Sequence, residues 1–214
     1  MKKISFIALA LCGSVAVFAQ ETQPQLRTPM ASTTRFGVRG GINLANLKFS
    51  EEASGTETNS QTSFVAGVLA NIPISGMFKF QPEINYSSQG AKIKGSGVSA
   101  EQDLGYINVP LNFQLQTASG FFVQTGPQVG YLLSAKAKGT VGGTTSEEDN
   151  KEEFDKIDLS WSAGLGYLSR IGLGIDLRYN YGIANIIEDN TAGVGTVKNR
   201  VAQISLVYHF GAAK

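Results

Sequence analysis

The sequence predicts an all-β protein, an eight-stranded antiparallel transmembrane β-barrel preceded by a cleaved signal peptide. Three observations carry this. From Arg35 to Phe210 the hydrophobicity alternates with a period of two in eight separate runs. The connections between these runs alternate strictly between short and long. The chain also opens on a basic, then apolar, then small-residue segment, the pattern of an exported protein.

Met1-Lys2-Lys3 is the basic region of the export signal, Ile4 to Phe18 its apolar stretch, and Val17-Phe18-Ala19 its cleavage motif, so residues 1–19 are expected to be removed. The stretch is shorter than the roughly 20 residues of a spanning helix. Cleavage removes Lys2, Lys3 and Cys12, turning the formal charge from +1 to −1 and leaving no cysteine. Residues 20–34 are polar and Pro-containing and read as a flexible periplasmic leader; residues 35–210 form the barrel domain and 211–214 a short tail.

The first run places Phe36, Val38, Ile42 and Leu44 on one face, and the second Phe64, Val68, Ile72 and Ile74. The third carries Phe78, Phe80, Pro82, Ile84 and Tyr86, and the fourth Ile107, Val109, Leu111, Phe113 and Leu115. Phe121, Val123, Val129, Tyr131 and Leu133 define the fifth, and Ile157, Leu159, Trp161, Leu165 and Tyr167 the sixth. Leu173, Ile175, Leu177, Tyr179 and Tyr181 define the seventh, and Ala202, Ile204, Leu206, Tyr208 and Phe210 the last.

A period of two does not say which face meets lipid, and a soluble lipocalin-like barrel has the same arithmetic. Connection length decides for the membrane. Ser75-Gly76, Thr117 to Gly120 and Ser169 to Ile171 are tight turns, whereas Ser50 to Thr62, Ser88 to Asp103, Ser134 to Asp155 and Ala184 to Asn199 are long polar loops. Aromatics fall at two levels. Phe36, Phe78, Phe80, Phe121, Tyr167, Tyr208 and Phe210 lie at the periplasmic rim; Phe64, Tyr86, Tyr106, Tyr131, Tyr179 and Tyr181 lie toward the outer rim. Two such girdles match two membrane interfaces. The opposite face is rich in Gly and polar residues, with Arg39, Glu83, Asp176 and Arg178 near mid-strand, as the narrow lumen of an eight-stranded barrel requires. These four are expected to pair and seal the lumen, because a lone buried charge is costly.

Two features fit less simply. Pro82, Pro110 and Pro127 each remove a ladder donor, so a bulge or kink is expected at each. Tyr106 is out of phase with Ile107, which places a bulge near Gly105.

The composition excludes several functions. Near-neutral charge leaves no basic stripe for nucleic acid. One His and one Cys are too few for a His/Cys metal cluster, and no phosphate loop or nucleophile elbow occurs. His209 falls at the periplasmic rim, where a girdle role is expected over catalysis. The acidic run Glu147-Glu148-Asp149 and Glu152-Glu153-Phe154-Asp155 lacks calcium-loop spacing and reads as a solvated surface loop. No catalytic residue, cofactor or metal site is expected.

The segments FGVRGGINLANL (36–47), FQPEINYSSQGAKI (80–93), YINVPLNFQL (106–115), FFVQTGPQVGYLLSAK (121–136), IDLSWSAGLGY (157–167), IDLRYNYGIANI (175–186) and NRVAQISLVYHF (199–210) resemble the PorT-like family of small outer-membrane β-barrel proteins. The resemblance covers essentially the whole mature chain and implies an OmpA/OmpX-like architecture in the Gram-negative outer membrane. It implies outer-membrane lipid and the barrel-insertion machinery as partners, and, for PorT itself, help to a secretion and gliding system. The expected function is therefore a non-enzymatic outer-membrane protein that presents external loops or supports envelope or secretion assembly. A narrow channel is the alternative, and a lipid-modifying enzyme the third reading.

Overall fold

The computed structural model describes residues 33–49, 57–95, 98–141, 144–187 and 196–211; the expected export signal and the leader as far as Ser32 lie outside the described residues. The strands are β1 Arg35–Phe49, β2 Glu57–Ser75, β3 Phe78–Gly95, β4 Val98–Gln116, β5 Phe121–Val141, β6 Thr144–Asp149, β7 Ile157–Leu168, β8 Leu173–Gly182 and β9 Val197–His209. One 3₁₀ turn, Lys151–Glu153, follows β6.

Eight of these strands form a ring in the order β4-β3-β2-β1-β9-β8-β7-β5, closed by the pairing of β4 with β5. Every pairing is antiparallel. Closure leaves these strands no unpaired edge, the only way a sheet crosses hydrocarbon with its backbone satisfied. The ring is the eight-stranded barrel that the alternation predicts.

The faces are inverted relative to a soluble protein. On β8, Leu173, Ile175, Leu177, Tyr179 and Tyr181 are exposed while Asp176, Arg178 and Asn180 are buried. Phe36 is 65% exposed and Leu206 60%, and similar residues occur on every strand of the ring. An apolar band on this scale is stable only against lipid.

The lumen is layered. An outer apolar cluster contains Leu47, Leu104, Tyr106, Leu132, Phe154, Ile186 and Val197. A periplasmic cluster contains Leu69, Phe122, Leu168 and Val207. The polar side chains fill the height between them.

The structure corrects several expectations. Much of the long connections is strand: β3 and β4 pair from Ser88↔Gly105 out to Gly95↔Val98, and β5 pairs with β6 from Lys136↔Asp149 to Val141↔Thr144. β5 has 21 residues, about twice the 9–11 that cross a membrane. Beyond the bilayer both faces meet water, so apolar alternation stops marking the strand while the ladder continues. On β5 the outward face changes from Val129, Tyr131 and Leu133 to Lys136, and Lys138 there pairs across strands. Gly90, at φ +140°, allows β3 to continue there, because a Cβ would run into the carbonyl oxygen of Gln102.

Pro82, Pro110 and Pro127 carry no bulge. Pro82↔Leu111 and Asn85↔Asn108 keep one register, as do Pro110↔Gln128 and Phe113↔Thr125, with unpaired steps between them. Pro127 stays in register opposite Trp161. Each proline removes one donor, but the intact ladder on either side holds the register. Register shifts fall instead at Ser60/Val65 and Pro73/Ser75 of the β2–β3 ladder, and at Gly105/Tyr106 of the β4–β5 ladder. At the last, Gly105 pairs with Ser134 and Tyr106 with Leu132, so the extra residue is Leu133 on β5. Tyr106 is fully buried in the lumen and is not a member of the outer girdle.

Candidate functional site

The lumen between the girdles is crossed by a compact ion network. Arg39 on β1, Glu83 on β3, and Asp176 and Arg178 on β8 all face inward, because each has the parity opposite to its lipid-facing neighbours. Room for them comes from glycine. Gly67 lies opposite Arg39, Gly164 opposite Arg178 and Gly166 opposite Asp176.

Arg178 grips Glu83 with both terminal nitrogens, Nη1 to Oε2 at 3.0 Å and Nη2 to Oε1 at 2.9 Å. Its Nη2 also donates to Asp176 Oδ2 at 2.8 Å. Arg39 donates to Glu83 Oε2 at 2.8 Å and to Ser205 Oγ at 2.7 Å, and lies 4.0 Å from Asp176. Gln81 and Asn85 each donate to Glu83 at 2.9 Å, and Gln124 donates to Asp176 at 2.9 Å. Glu83 thus accepts five hydrogen bonds, and the two cations balance the two anions. The four side chains are 0–1% exposed. Buried charges persist where such mutual pairing offsets their desolvation.

Strand parity predicts the four inward charges, but does not single out their partners Gln81, Asn85, Gln124 and Ser205. They share the inward parity of the charges, which is the signal that places them in the lumen.

The aromatics expected at the periplasmic rim face outward: Phe36, Phe78, Phe121, Tyr167, Tyr208 and Phe210 are exposed, and Phe80 is partly so. Phe121 packs on Tyr167 with centroids 5.0 Å apart, Tyr208 on Phe210 at 5.5 Å, and Phe80 on Phe113 at 5.3 Å. At the outer level Phe64 packs on Tyr86 at 5.6 Å, and Tyr131, Tyr179 and Tyr181 are exposed. Tyr181 carries the Arg200 guanidinium 3.5 Å above its ring.

His209 is not a lipid-facing rim residue. It is 3% exposed and faces the lumen at the periplasmic end, its ring beside Gly37. Neither a carboxylate nor a hydroxyl bonds its ring among the described residues, and Nδ1 has no partner. Phe154, expected in a solvated loop, is 7% exposed and closes the outer mouth with Ile186. A lone aromatic in an acidic run is the sequence sign of that role.

Outside the bilayer, β2 to β6 continue as a sheet joined by ion pairs. Lys92 meets Glu101 at 3.1 Å, Lys138 meets Asp103 at 2.8 Å, and Lys136 meets Glu147 at 2.6 Å. Burial opposes the charge on Asp103, but hydrogen bonds from Lys138 and Gln61 and the Lys138 charge outweigh it and hold its carboxyl below the ordinary 3.8. The hydrogen bond and charge of Lys136 hold Glu147 down, and the same contact raises Lys136.

Residues 18–188 match the family described as "Outer membrane protein beta-barrel domain". Among solved structures the chain is similar to Neisserial surface protein A, with TM-score 0.51 and 19% identity over 82% of this chain and 97% of that one. It is also similar to Ail, the attachment invasion locus protein of Yersinia pestis, solved with the heparin analogue sucrose octasulfate: TM-score 0.50 and 14% identity over 83% of this chain and 99% of that one. At these identities the likeness is one of fold. No curated protein matches the sequence.

Proposed function

The chain belongs to the outer membrane protein β-barrel domain family and is an integral outer-membrane barrel; from that premise we propose that it is non-enzymatic and non-conducting, and that its work is done by its external sheet and loops. Those surfaces engage other envelope or secretion proteins, the role that the PorT-like resemblance implies.

The observation that carries this reading is the occupied lumen. The Arg39–Glu83–Asp176–Arg178 network spans it, with an apolar cluster on each side. Eight strands leave an interior that side chains fill, and among the described residues this filling supports neither a solute path nor a substrate pocket along the axis. What remains for recognition is the projecting β2–β6 sheet.

The test is extraction of the affinity-tagged protein from native membranes in mild detergent. The reading predicts that envelope proteins co-purify, and that reversing Lys136 and Lys138 to Glu releases them while the barrel stays folded. A lone, heat-modifiable monomer from both forms contradicts the assembly role.

A further inference from the structure

We propose that the outer rim of β1 and β9 binds one outer-leaflet lipid through a phosphate monoester held by Lys48, Lys198 and Arg200. Lys48 and Lys198 stand directly opposite one another in the β1–β9 ladder. Arg200 lies two residues along β9, opposite Asn46 on one side and Tyr181 on the other. The residues that alternate with them, Leu47, Val197, Asn199 and Val201, are buried. The three cations therefore have the outward parity and share one patch of the lipid-facing wall.

What lies below the patch on the same face fixes its level. Ile42 pairs with Ile204 and Leu44 with Ala202; the isoleucines and Leu44 are exposed. Next comes Asn46 opposite Arg200, beside Tyr181 of the outer girdle, and then Lys48 opposite Lys198. The lysine rung is about 7 Å further along the strands than the Tyr181 level, at the ordinary rise per residue. Girdle aromatics mark the edge of the hydrocarbon, so the cations occupy the headgroup layer while acyl chains run along Ile42, Leu44 and Ile204.

Two observations call for an anion there. On the β2–β6 side the external lysines are paired: Lys92 with Glu101, Lys138 with Asp103 and Lys136 with Glu147. Lys48, Lys198 and Arg200 form no ion pair among the described residues. Asp158 acts electrostatically on Arg200 but faces the lumen, on the other side of the wall. Like charges directly opposite across a ladder repel, and a counter-charge over the Lys48–Lys198 rung relieves this. The second observation is that Arg200 is already aimed. Its Nη1 donates to the carbonyls of Gly182 at 2.8 Å and Asn199 at 2.9 Å, and its guanidinium lies 3.5 Å from the Tyr181 ring centre. These contacts fix the guanidinium plane and leave Nε and Nη2 with no described acceptor, so little conformational freedom is lost on binding.

A phosphate monoester carries close to two negative charges and three acceptor oxygens, which one guanidinium and two ammonium groups match. A zwitterionic headgroup brings its own cation, and free phosphate lacks the acyl chains that the apolar wall below accommodates. The inference depends on the barrel spanning the outer membrane and not on the proposed surface role.

The test uses the full-length protein refolded in lipid-free nonionic detergent. Phosphatidic acid, diphosphoryl lipid A or phosphatidylcholine is added, retained lipid is counted by native mass spectrometry, and thermal unfolding is followed in parallel. The expected result is one phosphatidic acid or lipid A per barrel and a raised melting temperature, with far less phosphatidylcholine retained and no displacement by millimolar inorganic phosphate. Lys48→Gln with Lys198→Gln weakens retention on the order of tenfold. It also removes the lipid-dependent rise without lowering the melting temperature in lipid-free detergent, which separates a ligand site from a structural one. Arg170→Gln, in the exposed turn at the opposite rim, changes neither readout. Equal retention of phosphatidic acid and phosphatidylcholine, unchanged retention in the lysine variant, or displacement by inorganic phosphate overturns the proposal. So does absence of binding, which would leave Glu51, Glu52, Glu188 and Asp189 of the adjoining connections as the source of the counter-charge.

Discussion

Replacing Arg178 with Ala removes three hydrogen bonds from a site with 0% side-chain exposure. Glu83 keeps Arg39, Gln81 and Asn85, but Asp176 keeps only Gln124 at 2.9 Å and Arg39 at 4.0 Å. The cluster changes from neutral to one net negative charge. Breaking a buried pair from one side costs about 3–5 kcal/mol, because the surviving charge is left uncompensated. The pairing also predicts a partial rescue: with Arg178→Met and Asp176→Asn together, the remaining Arg39–Glu83 pair is neutral, and the double variant is less destabilised than the sum of the singles by about 1–3 kcal/mol. Urea unfolding of the refolded barrel in lipid vesicles, followed by Trp161 fluorescence, measures Arg178→Ala, the singles Arg178→Met and Asp176→Asn, and the double variant. A loss below about 1 kcal/mol for Arg178→Ala, or strict additivity, refutes the reasoning, since surface ion pairs contribute no more than that.

Three further outcomes follow from the same geometry. Phe154→Ala, which removes the aromatic from the outer seal, is expected to cost up to about 3 kcal/mol and to leave the barrel non-conducting, because the ion network below is untouched; urea unfolding and bilayer recording check the two halves. Gly90→Ala places a Cβ against the Gln102 carbonyl at φ +140°, and is expected to cost about 1–3 kcal/mol, localised to the external hairpin and visible as faster amide exchange there. Because the folded-state pKa of Asp103 is depressed, its contribution is present above the unfolded value and is lost as pH falls through the folded one. Protease sensitivity of the external sheet is therefore expected to be flat near neutrality and to rise only below about pH 4, and Lys138→Ala to raise it at neutral pH and flatten the acid rise, because the depression that Lys138 causes is gone.

How much of this was readable in the sequence depended on which solvent each residue meets. Where one face meets lipid and the other the lumen, alternation placed the strands and both faces: β7 begins at Ile157 and β8 at Leu173, where the period-two runs begin. Where strands leave the bilayer the contrast between faces disappears, so the outer halves of β2 to β5 and all of β6 read as loops. Tyr106 read as girdle because period alone does not reveal how a bulge is accommodated; the extra residue sits on the neighbouring strand. Charges on the inward parity identified Arg39, Glu83, Asp176 and Arg178, yet Asp158 shares that parity and differs from them only in having no cation opposite, a property of register and not of composition. At Pro82, Pro110 and Pro127 the sequence shows only a missing donor, whereas in a closed ring the adjoining ladders fix the register on both sides.

A lumen closed by its own side chains does not conduct, and planar-bilayer recording of the purified full-length protein tests that most directly. The expected result is a baseline without discrete current steps at moderate voltage, unchanged by Phe154→Ala. Reproducible unitary steps from the parent protein, altered in size by substitutions at Glu83 or Arg178, would show an ion path through the network and contradict it.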